Sequence, residues 1–179
     1  VAERMKIGAF MIFTVVYLGF VYPIAGSWQW GGGFLSSFKF GDTIGFYDFA
    51  GSTLVHSVGG WAALVTVWLL GARIGKFKDG KPQAIPGHSI PLATAGVLIL
   101  WLGWFGFNGG SVLAMASKES ADAVAMVFVN TNAAAAGGVI AALLFAKVWF
   151  GKADLTMTLN GALAGLVAIT AGPDTPSVL

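Results

Sequence analysis

Long gaps between charged residues constrain this chain more than any motif does. Ten Lys and Arg residues and eight Asp and Glu residues fall in short clusters, and five long stretches between them carry no charge. A helix needs about 17 to 25 apolar residues to cross a bilayer, and each stretch supplies them. The charge-free stretches are residues 7–25, 49–72, 91–108, 123–146 and 155–172. Around them we predict membrane spans at residues 7–26, 49–72, 90–109, 122–148 and 155–172, within one transmembrane domain over residues 1–179. The predicted fold class is an all-α integral membrane helix bundle.

The composition restricts the class of protein further. Hydrophobic residues make up 56% of the 179 residues and charged residues only 10%, against about 25% charged residues in soluble domains. The chain has no Cys, and its two His residues are too few for a His-rich metal site. The formal net charge of +2 gives no reason to expect a nucleic-acid partner. We therefore expect no metal, no cofactor and no nucleic acid, and a lipid bilayer as the environment.

The distribution of Lys and Arg predicts an orientation. Counted before, between and after the five charge-free stretches, their numbers are 2, 1, 4, 1, 2 and 0. The positive-inside rule places the richer regions in the cytoplasm. We expect a multi-pass protein of the plasma or inner membrane, with the N-terminus of this chain cytoplasmic and the loops after the first and third spans external. Both ends of the chain resemble cuts in a longer protein.

One ionisable residue lies inside the second span. His56 belongs to the charge-free run from Phe49 to Ala72, and an ionisable residue within a membrane span usually marks a functional pathway. In a continuous helix Asp48 would lie about 12 Å nearer the external surface, with Ser52 between the two. We predict that one helix presents a carboxylate, a hydroxyl and an imidazole along one flank.

Aromatic and hydroxyl side chains are predicted to meet on the external side. Trp30 follows the first span, and Phe107 and Ser111 lie at the end of the third. Aromatic faces attract cations by about 0.5–2 kcal/mol, which suits recruitment of a small cation. A neutral His56 in an apolar lumen suits a neutral polar molecule or a proton. These features favour a weak base that sheds its charge.

Five motifs carry a resemblance to a known family: WGGG, DFAGSTLVH, GWFGFNGGS, FVNTNAAAA and NGALAGLVAITAG, in this order from Trp30 to Gly172. Together they resemble the ammonium transporter family, which includes the methylammonium permeases and the Rhesus proteins. The resemblance covers essentially the whole chain. It implies a homotrimeric, eleven-span channel or transporter built as an inverted repeat, in which these five spans resemble the fourth to the eighth.

The resemblance also implies roles for individual residues. Trp30, by cation–π contact, and Ser111, by hydrogen bonding, would recruit ammonium externally. Phe107 would be one of two stacked gating phenylalanines, His56 the first of two pore histidines, and Asp48 a buried carboxylate that supports the site. The implied activity is transport of ammonium or methylammonium rather than an enzymatic reaction, with deprotonation of ammonium and passage of ammonia past His56.

Parts of the family pattern lie outside this chain. These are the second pore histidine, the first gating phenylalanine and the cytoplasmic tail that binds a PII-type regulator. His88 does not replace the missing histidine, because it is predicted in a cytoplasmic turn before the third span. The loop over residues 34–47 is longer than the family pattern. We expect the chain to hold half a pore.

Each candidate residue also has a structural interpretation. His56 could bond a neighbouring carbonyl, Asp48 could cap the second span, and Trp30 could belong to an interfacial aromatic belt. Phe107 could be a packing residue and Ser111 an ordinary turn hydroxyl.

Small residues in the last two spans favour close helix packing. Gly161 and Gly165 form a small-xxx-small pair, and residues 133–138 give the fourth span a face without bulk. Three polar residues of these spans are expected to bond between helices: Asn130, Asn132 and Asn160.

Other function classes fit the sequence less well. A membrane enzyme that used Asp48 and His56 would need a nucleophile or metal ligands, and the HExxH and GxSxG motifs are absent. A receptor or structural bundle would explain the packing motifs but not an aromatic external site above a mid-span histidine. One alternative stays open: an ammonium-sensing, transporter-like membrane domain of a signalling protein.

Overall fold

The structure, a computed structural model, describes residues 3–177. These residues form five helices, which we name α1 (Ile7–Ser27), α2 (Ser52–Leu70), α3 (Ile90–Gly110), α4 (Lys118–Phe150) and α5 (Leu155–Ile169). The first four are long and apolar enough to cross a membrane, and α5 is a shorter apolar helix of 15 residues. The helical architecture confirms the predicted all-α class.

Two short antiparallel hairpins lie in the loops after α1 and α2. Strand β1 (Lys39–Phe40) pairs with β2 (Thr43–Ile44), and β3 (Phe77–Lys78) pairs with β4 (Lys81–Pro82). Gly41 adopts a φ of +64°, which a tight hairpin turn requires and glycine accepts without strain. The long loop after α1 therefore contains a hairpin.

Local sequence explains where α3 and α4 begin. The Ser89 hydroxyl oxygen accepts a hydrogen bond from the Leu92 amide at 3.3 Å, and a proline follows in the first turn of α3. Ser117 and Ser120 form a reciprocal capping box at the start of α4. Both caps satisfy amide donors that the first helical turn leaves without intrahelical partners.

The turn between α4 and α5 is formed by a glycine and a capping carboxylate. Gly151 ends α4 with a φ of +74°. The Asp154 carboxylate accepts bonds from the Thr156 hydroxyl at 2.6 Å and from the Met157 amide at 2.9 Å. These bonds, the Thr156 one first, hold the pKa of Asp154 below its ordinary value.

The chain divides into two compact units, each described by itself. The first contains the described residues up to Phe46 together with Thr53–His88, and therefore α1, nearly all of α2 and the hairpins. The Tyr17 hydroxyl on α1 donates to the Val58 carbonyl on α2 at 2.9 Å. This bond fixes α1 to α2 close to the segment that carries His56.

Charged residues join the other ends of α1 and α2. Arg4 donates to the Leu70 carbonyl at 2.9 Å, and so satisfies one carbonyl of the last turn of α2. Arg73 and Glu3 form an ion pair with an N···O distance of 3.3 Å. Both side chains of the pair are well exposed, so it contributes about 0–1 kcal/mol at most.

The second unit contains Tyr47–Ser52 and the described residues from Ser89 onward. Helices α3, α4 and α5 pack on one another around Trp104, Ala135 and Leu166. The last two have no exposed surface. This unit has a closed interior built from its own residues.

Glycines allow α4 and α5 to approach until their backbones touch. A Cβ placed on Gly161 would overlap the carbonyl oxygen of Gly138, and one on Gly165 would overlap that of Ala134. The prediction that Gly161 and Gly165 form a close-packing face is confirmed. Such faces replace the hydrophobic driving force that lipid does not provide.

The three asparagines of α4 and α5 behave differently from one another. Buried Asn130 donates to the carbonyls of Pro173 and Pro176 at 2.8 and 2.9 Å, so it holds the segment after α5. Asn160 donates to the Thr156 carbonyl at 2.9 Å within its own helix, because that carbonyl lies one turn earlier on the same face. The prediction of an interhelical bond is wrong for Asn160. Asn132 is exposed.

Candidate functional site

Asp48 lies just before α2 and caps it. Its Oδ1 atom accepts hydrogen bonds from the amides of Gly51 at 3.0 Å and Ser52 at 2.8 Å, and the residue is 1% exposed. Gly51 has a φ of +109°, which turns the chain into the helix. The capping interpretation of Asp48 is confirmed. The prediction of one helical flank through Asp48, Ser52 and His56 is wrong, because α2 begins at Ser52 and Asp48 precedes it.

The residues between Asp48 and α2 form a short non-helical strap, with bends at Phe49 and Ala50. The amide of Phe49 donates to the Ala171 carbonyl at 2.7 Å, and that of Ala50 to the Thr170 carbonyl at 3.0 Å. The predicted span began at residue 49, whereas residues 49–51 are not helical: Phe49 and Ala50 bond to the two residues that follow α5, and the Gly51 amide bonds to Asp48. The capping carboxylate thus has a fixed position relative to α5.

His56 lies in a π-helical segment at the start of α2, Ser52–Ser57. Its side chain is partly buried, and its Nε2 atom is buried. A second π-helical segment, Tyr17–Val21, occurs in α1 of the same unit. Single π-helical turns inside α-helices occur frequently at functional sites. The other histidine, His88, is exposed in the loop before α3.

Trp30 lies in a compact glycine turn after α1. Its amide donates to the Gly26 carbonyl at 3.0 Å, and the residue is 48% exposed. A Cβ on Gly33 would lie 2.6 Å from the Ser27 carbonyl oxygen, so only glycine fits there. The glycines of WGGG therefore fold the backbone against the end of α1, and the Trp30 indole remains half exposed.

Trp28 differs from Trp30 in its surroundings. Its ring lies 5.6 Å from the Phe34 ring, measured between centroids, in a tilted arrangement within the same unit. Aromatic pairs at this distance stabilise packing. Trp28 is thus the better candidate for an ordinary packing or interfacial residue.

Phe107 and Ser111 are joined at the end of α3. The Ser111 hydroxyl donates to the Phe107 carbonyl at 2.8 Å, which uses its proton within the helix. The Phe107 side chain is 39% exposed, and its ring lies 5.6 Å from the Trp104 ring. Ser111 thus has the local bond of a turn hydroxyl, and its lone pairs can still accept a further hydrogen bond.

A buried polar cluster lies behind this helix end. The Trp104 indole N–H donates to the Thr170 hydroxyl oxygen at 2.8 Å, and the Asn108 amide nitrogen donates to the Thr131 hydroxyl oxygen at 3.0 Å. The Thr170 hydroxyl also lies 3.1 Å from Oδ1 of Asn108. These four residues join α3, α4 and the end of α5, in an interior where each bond costs more to break than in water.

None of the four residues of this cluster was predicted as a site residue, and the least expected members are Thr131 and Thr170. Both are fully buried hydroxyl residues within apolar stretches. Each lies in a motif that carried the family resemblance, FVNTNAAAA or NGALAGLVAITAG. A hydroxyl inside an apolar span was the available signal, but the pairing across three elements needed the fold.

Tyr47 lies next to the strap in the sequence and bonds to the segment after α5. Its hydroxyl donates to Oδ2 of Asp174 at 2.8 Å. Burial, and then the hydrogen bond and negative charge of Asp174, raise the pKa of Tyr47 to about 12. No group of three or more acidic, His or Cys residues suitable for a metal occurs within residues 3–177.

The five predicted site residues fall in both units. Trp30 and His56 belong to the first, and Asp48, Phe107 and Ser111 to the second. Within the second unit, Phe107 and Ser111 are bonded to each other, and Asp48 is held by the strap. The apolar helices and the polar residues at their ends define a multi-pass α-helical membrane protein.

Comparison with known proteins gives the family. The whole chain, residues 1–179, matches the model of the Ammonium Transporter Family. The chain therefore belongs to the Ammonium Transporter Family, a family of transporters and not of enzymes. The predicted resemblance is confirmed.

Curated relatives agree with this assignment. The chain is 48% identical over 176 residues to ammonium transporter Amt2 of Archaeoglobus fulgidus, covering 96% of this chain and 37% of that protein. It is 44% identical over 174 residues to ammonium transporter Amt1 of Methanocaldococcus jannaschii, with coverages of 97% and 41%. The chain thus spans about two fifths of the length of these relatives.

Solved structures share the fold. A structure described as a sensor Amt protein superposes with a TM-score of 0.86 at 39% identity, covering 96% of this chain and 42% of that one. Mep2 from Candida albicans superposes with a TM-score of 0.78 at 36% identity, with coverages of 96% and 36%.

Proposed function

We propose that the full-length protein transports ammonium or ammonia, and methylammonium, across the membrane. The observation that carries the proposal is the match of all 179 residues to the Ammonium Transporter Family. The relatives are themselves called ammonium transporters. In the proposed cycle ammonium is recruited externally and dissociates into ammonia and a proton; ammonia passes His56, and the proton follows by a separate route.

Trp30 and Ser111 are the proposed recruitment residues. The half-exposed indole of Trp30 offers a π face to a cation, an attraction worth about 0.5–2 kcal/mol. The Ser111 hydroxyl donates its hydrogen bond to the Phe107 carbonyl, so the lone pairs of its oxygen can accept from an ammonium N–H. Both groups suit a small cation with several N–H donors.

Phe107 is the proposed gate. A partly exposed phenyl ring that packs on Trp104 presents an apolar surface, which a hydrated ion crosses at high cost and neutral ammonia crosses at low cost. Loss of the proton before this residue would therefore favour passage. Selectivity for the uncharged species follows from the same contact.

His56 is the proposed pore residue, and Asp48 supports it. Asp48 fixes the start of α2, four residues before His56, through its bond to the Ser52 amide. The negative charge of its carboxylate also attracts a nearby cation. A neutral imidazole both accepts and donates a hydrogen bond, which matches ammonia.

The Trp30 proposal is tested by Trp30→Leu in the full-length protein, with Trp28→Leu as the matched control. Loss of the π face should raise the KM for ammonium uptake about two- to thirtyfold, the equivalent of 0.5–2 kcal/mol, and leave the maximal rate close to wild type. Initial rates in proteoliposomes measure both. An equal loss of rate and affinity in Trp30→Leu, or the same KM change in Trp28→Leu, would argue against recruitment by Trp30.

We also propose that the N-terminus of this chain is cytoplasmic and the protein lies in the plasma or inner membrane. The alternation of Lys and Arg, 2, 1, 4, 1, 2 and 0, supports this orientation. Lys39→Cys and Lys76→Cys, each in a background with no other Cys, should be labelled by an impermeant maleimide from outside and from inside respectively. Labelling of Lys76→Cys from outside would reverse the orientation.

The proposed assembly is a homotrimer in which these five helices correspond to the fourth to eighth of eleven spans. A PII-type regulator is the proposed cytoplasmic partner of the full-length protein. Native mass spectrometry should give three copies, with bound regulator when a PII-type protein is added. A monomeric mass in lipid would overturn the trimer.

The second candidate function is ammonium sensing. The TM-score of 0.86 to the sensor Amt protein favours it as an alternative. A kinase-like domain appended to the full-length sequence would support sensing, and a second mid-span histidine without such a domain would support transport.

A further inference from the structure

Thr170 occupies an unusual position at the end of α5. It is fully buried, and its hydroxyl faces three groups: the Leu166 carbonyl at 2.6 Å, Oδ1 of Asn108 at 3.1 Å and the indole N–H of Trp104 at 2.8 Å. The hydroxyl oxygen accepts a hydrogen bond from the Trp104 N–H, and its single proton is shared between the Leu166 carbonyl oxygen and Oδ1 of Asn108. A single side chain thus ties α5 to two residues of α3.

Trp104 links Thr170 to the proposed gate. The indole N–H that Thr170 accepts fixes the orientation of a ring that is itself 9% exposed. That ring contacts Phe107 at a centroid distance of 5.6 Å and an interplanar angle of 41°. A change in the tilt of the indole would therefore move the surface on which the Phe107 ring rests.

The backbone of Thr170 links it to the capping strap. Its carbonyl accepts from the Ala50 amide at 3.0 Å, and the next carbonyl, of Ala171, accepts from Phe49 at 2.7 Å. Asp48 immediately precedes these two residues. One residue therefore supports the gate through its side chain and the cap through its main chain.

We propose that Thr170 is a positioning residue for the Phe107 gate: its hydroxyl holds Trp104, and Trp104 sets the tilt of Phe107 and so the discrimination between ammonium and methylammonium. The proposal rests on the proposed transport function. Thr170 itself is enclosed by α3 and α5, so its effect on transport passes through the residues it holds.

Two substitutions separate the hydroxyl from the rest of the side chain. Thr170→Val keeps the shape and removes the acceptor of the Trp104 N–H, whereas Thr170→Ser keeps the hydroxyl. Thr94→Val is the matched control, because the Thr94 hydroxyl on α3 donates to the Ile90 carbonyl at 2.9 Å in the same one-turn pattern. Each variant is prepared in the full-length protein.

The readout is the ratio of methylammonium to ammonium transport rates in proteoliposomes. One methyl group in a fitted site is worth about tenfold or more in discrimination. Thr170→Val should weaken this discrimination and raise the methylammonium-to-ammonium ratio by up to about tenfold. Thr170→Ser and Thr94→Val should keep the wild-type ratio. An unchanged ratio in a folded Thr170→Val protein would overturn the proposal.

Trp104→Phe, which removes only the indole N–H and part of the ring, provides a second measurement. If Thr170 acts through Trp104, the double variant Thr170→Val, Trp104→Phe should show the same transport ratio as Trp104→Phe alone. Additive effects of the two substitutions would overturn the route through Trp104. If Thr170→Val does not fold, the comparison of Trp104→Phe with wild type is decisive. An unchanged transport ratio in Trp104→Phe would then refute the proposal. A wild-type protein that transports neither substrate would refute the transport function instead.

Discussion

Both α5 and α2 contain a pair of glycines, but the surroundings of the two pairs differ. A Cβ on Gly161 or Gly165 would overlap main-chain atoms of α4, whereas one on Gly59 or Gly60 would meet nothing within 4 Å. The unit of α3, α4 and α5 therefore completes its own interior. The apolar surfaces of α1 and α2 are exposed, and we expect lipid or other helices to cover them in the membrane.

The largest expected effect is the difference in stability between a Gly→Ala substitution in α5 and one in α2. Gly165→Ala places a Cβ against the Ala134 carbonyl and should cost about 3 kcal/mol. Gly59→Ala should be neutral or stabilising by up to about 1 kcal/mol, because Ala favours the helix. Thermal unfolding of the full-length protein in detergent measures both. Equal destabilisation would show that the α2 glycines also form a packed face.

A smaller effect is expected from the asparagines of α4. Asn130→Leu removes the donor for the Pro173 and Pro176 carbonyls and should cost about 2 kcal/mol. Asn132→Leu, at an exposed position of the same helix, should change stability by less than about 0.5 kcal/mol. The same thermal measurement applies. Comparable losses for the two variants would contradict a closed interior in this unit.

The smallest effect is a pH dependence at Tyr47. Its pKa is raised from 10.0 to about 12, so the folded protein retains the proton where the unfolded chain loses it. The stabilising contribution is complete below pH 10 and is lost as the pH rises toward 12. Tyr47→Phe should remove this part of the alkaline fall in melting temperature. An identical pH profile for wild type and variant would show that the Asp174 bond contributes nothing.

The spacing of charges was enough to predict the helical class, because a run without charge has few alternatives to a membrane helix. The sequence also predicted the small-residue contact at Gly161 and Gly165. It did not predict that α2 begins at Ser52, since residues 49–51 are as apolar as a helix, and Phe49 and Ala50 bond to the residues that follow α5. That pairing joins residues more than a hundred positions apart, which local patterns do not encode.

The residues of the candidate site also differ in whether the local sequence or only the tertiary fold reveals their contacts. Asp48 was recognisable as a capping residue from its place before an apolar run, and its Oδ1 makes that cap. The bonds of Thr131 and Thr170 to α3 depend on how three helices meet, so their residue types alone gave no role. His56 was predicted as functional from its place in a charge-free span. The family resemblance added specific roles for Trp30, His56, Phe107 and Ser111, and these roles stay proposals.

The central claim is that this segment carries one half of an ammonium pathway through His56. Purified full-length protein in proteoliposomes is assayed for ammonium uptake as wild type, His56→Ala and His88→Ala, the last an exposed loop histidine. The account predicts uptake by wild type and His88→Ala, and loss of selective uptake in His56→Ala with unchanged folding. Wild-type rate and selectivity in His56→Ala would contradict it.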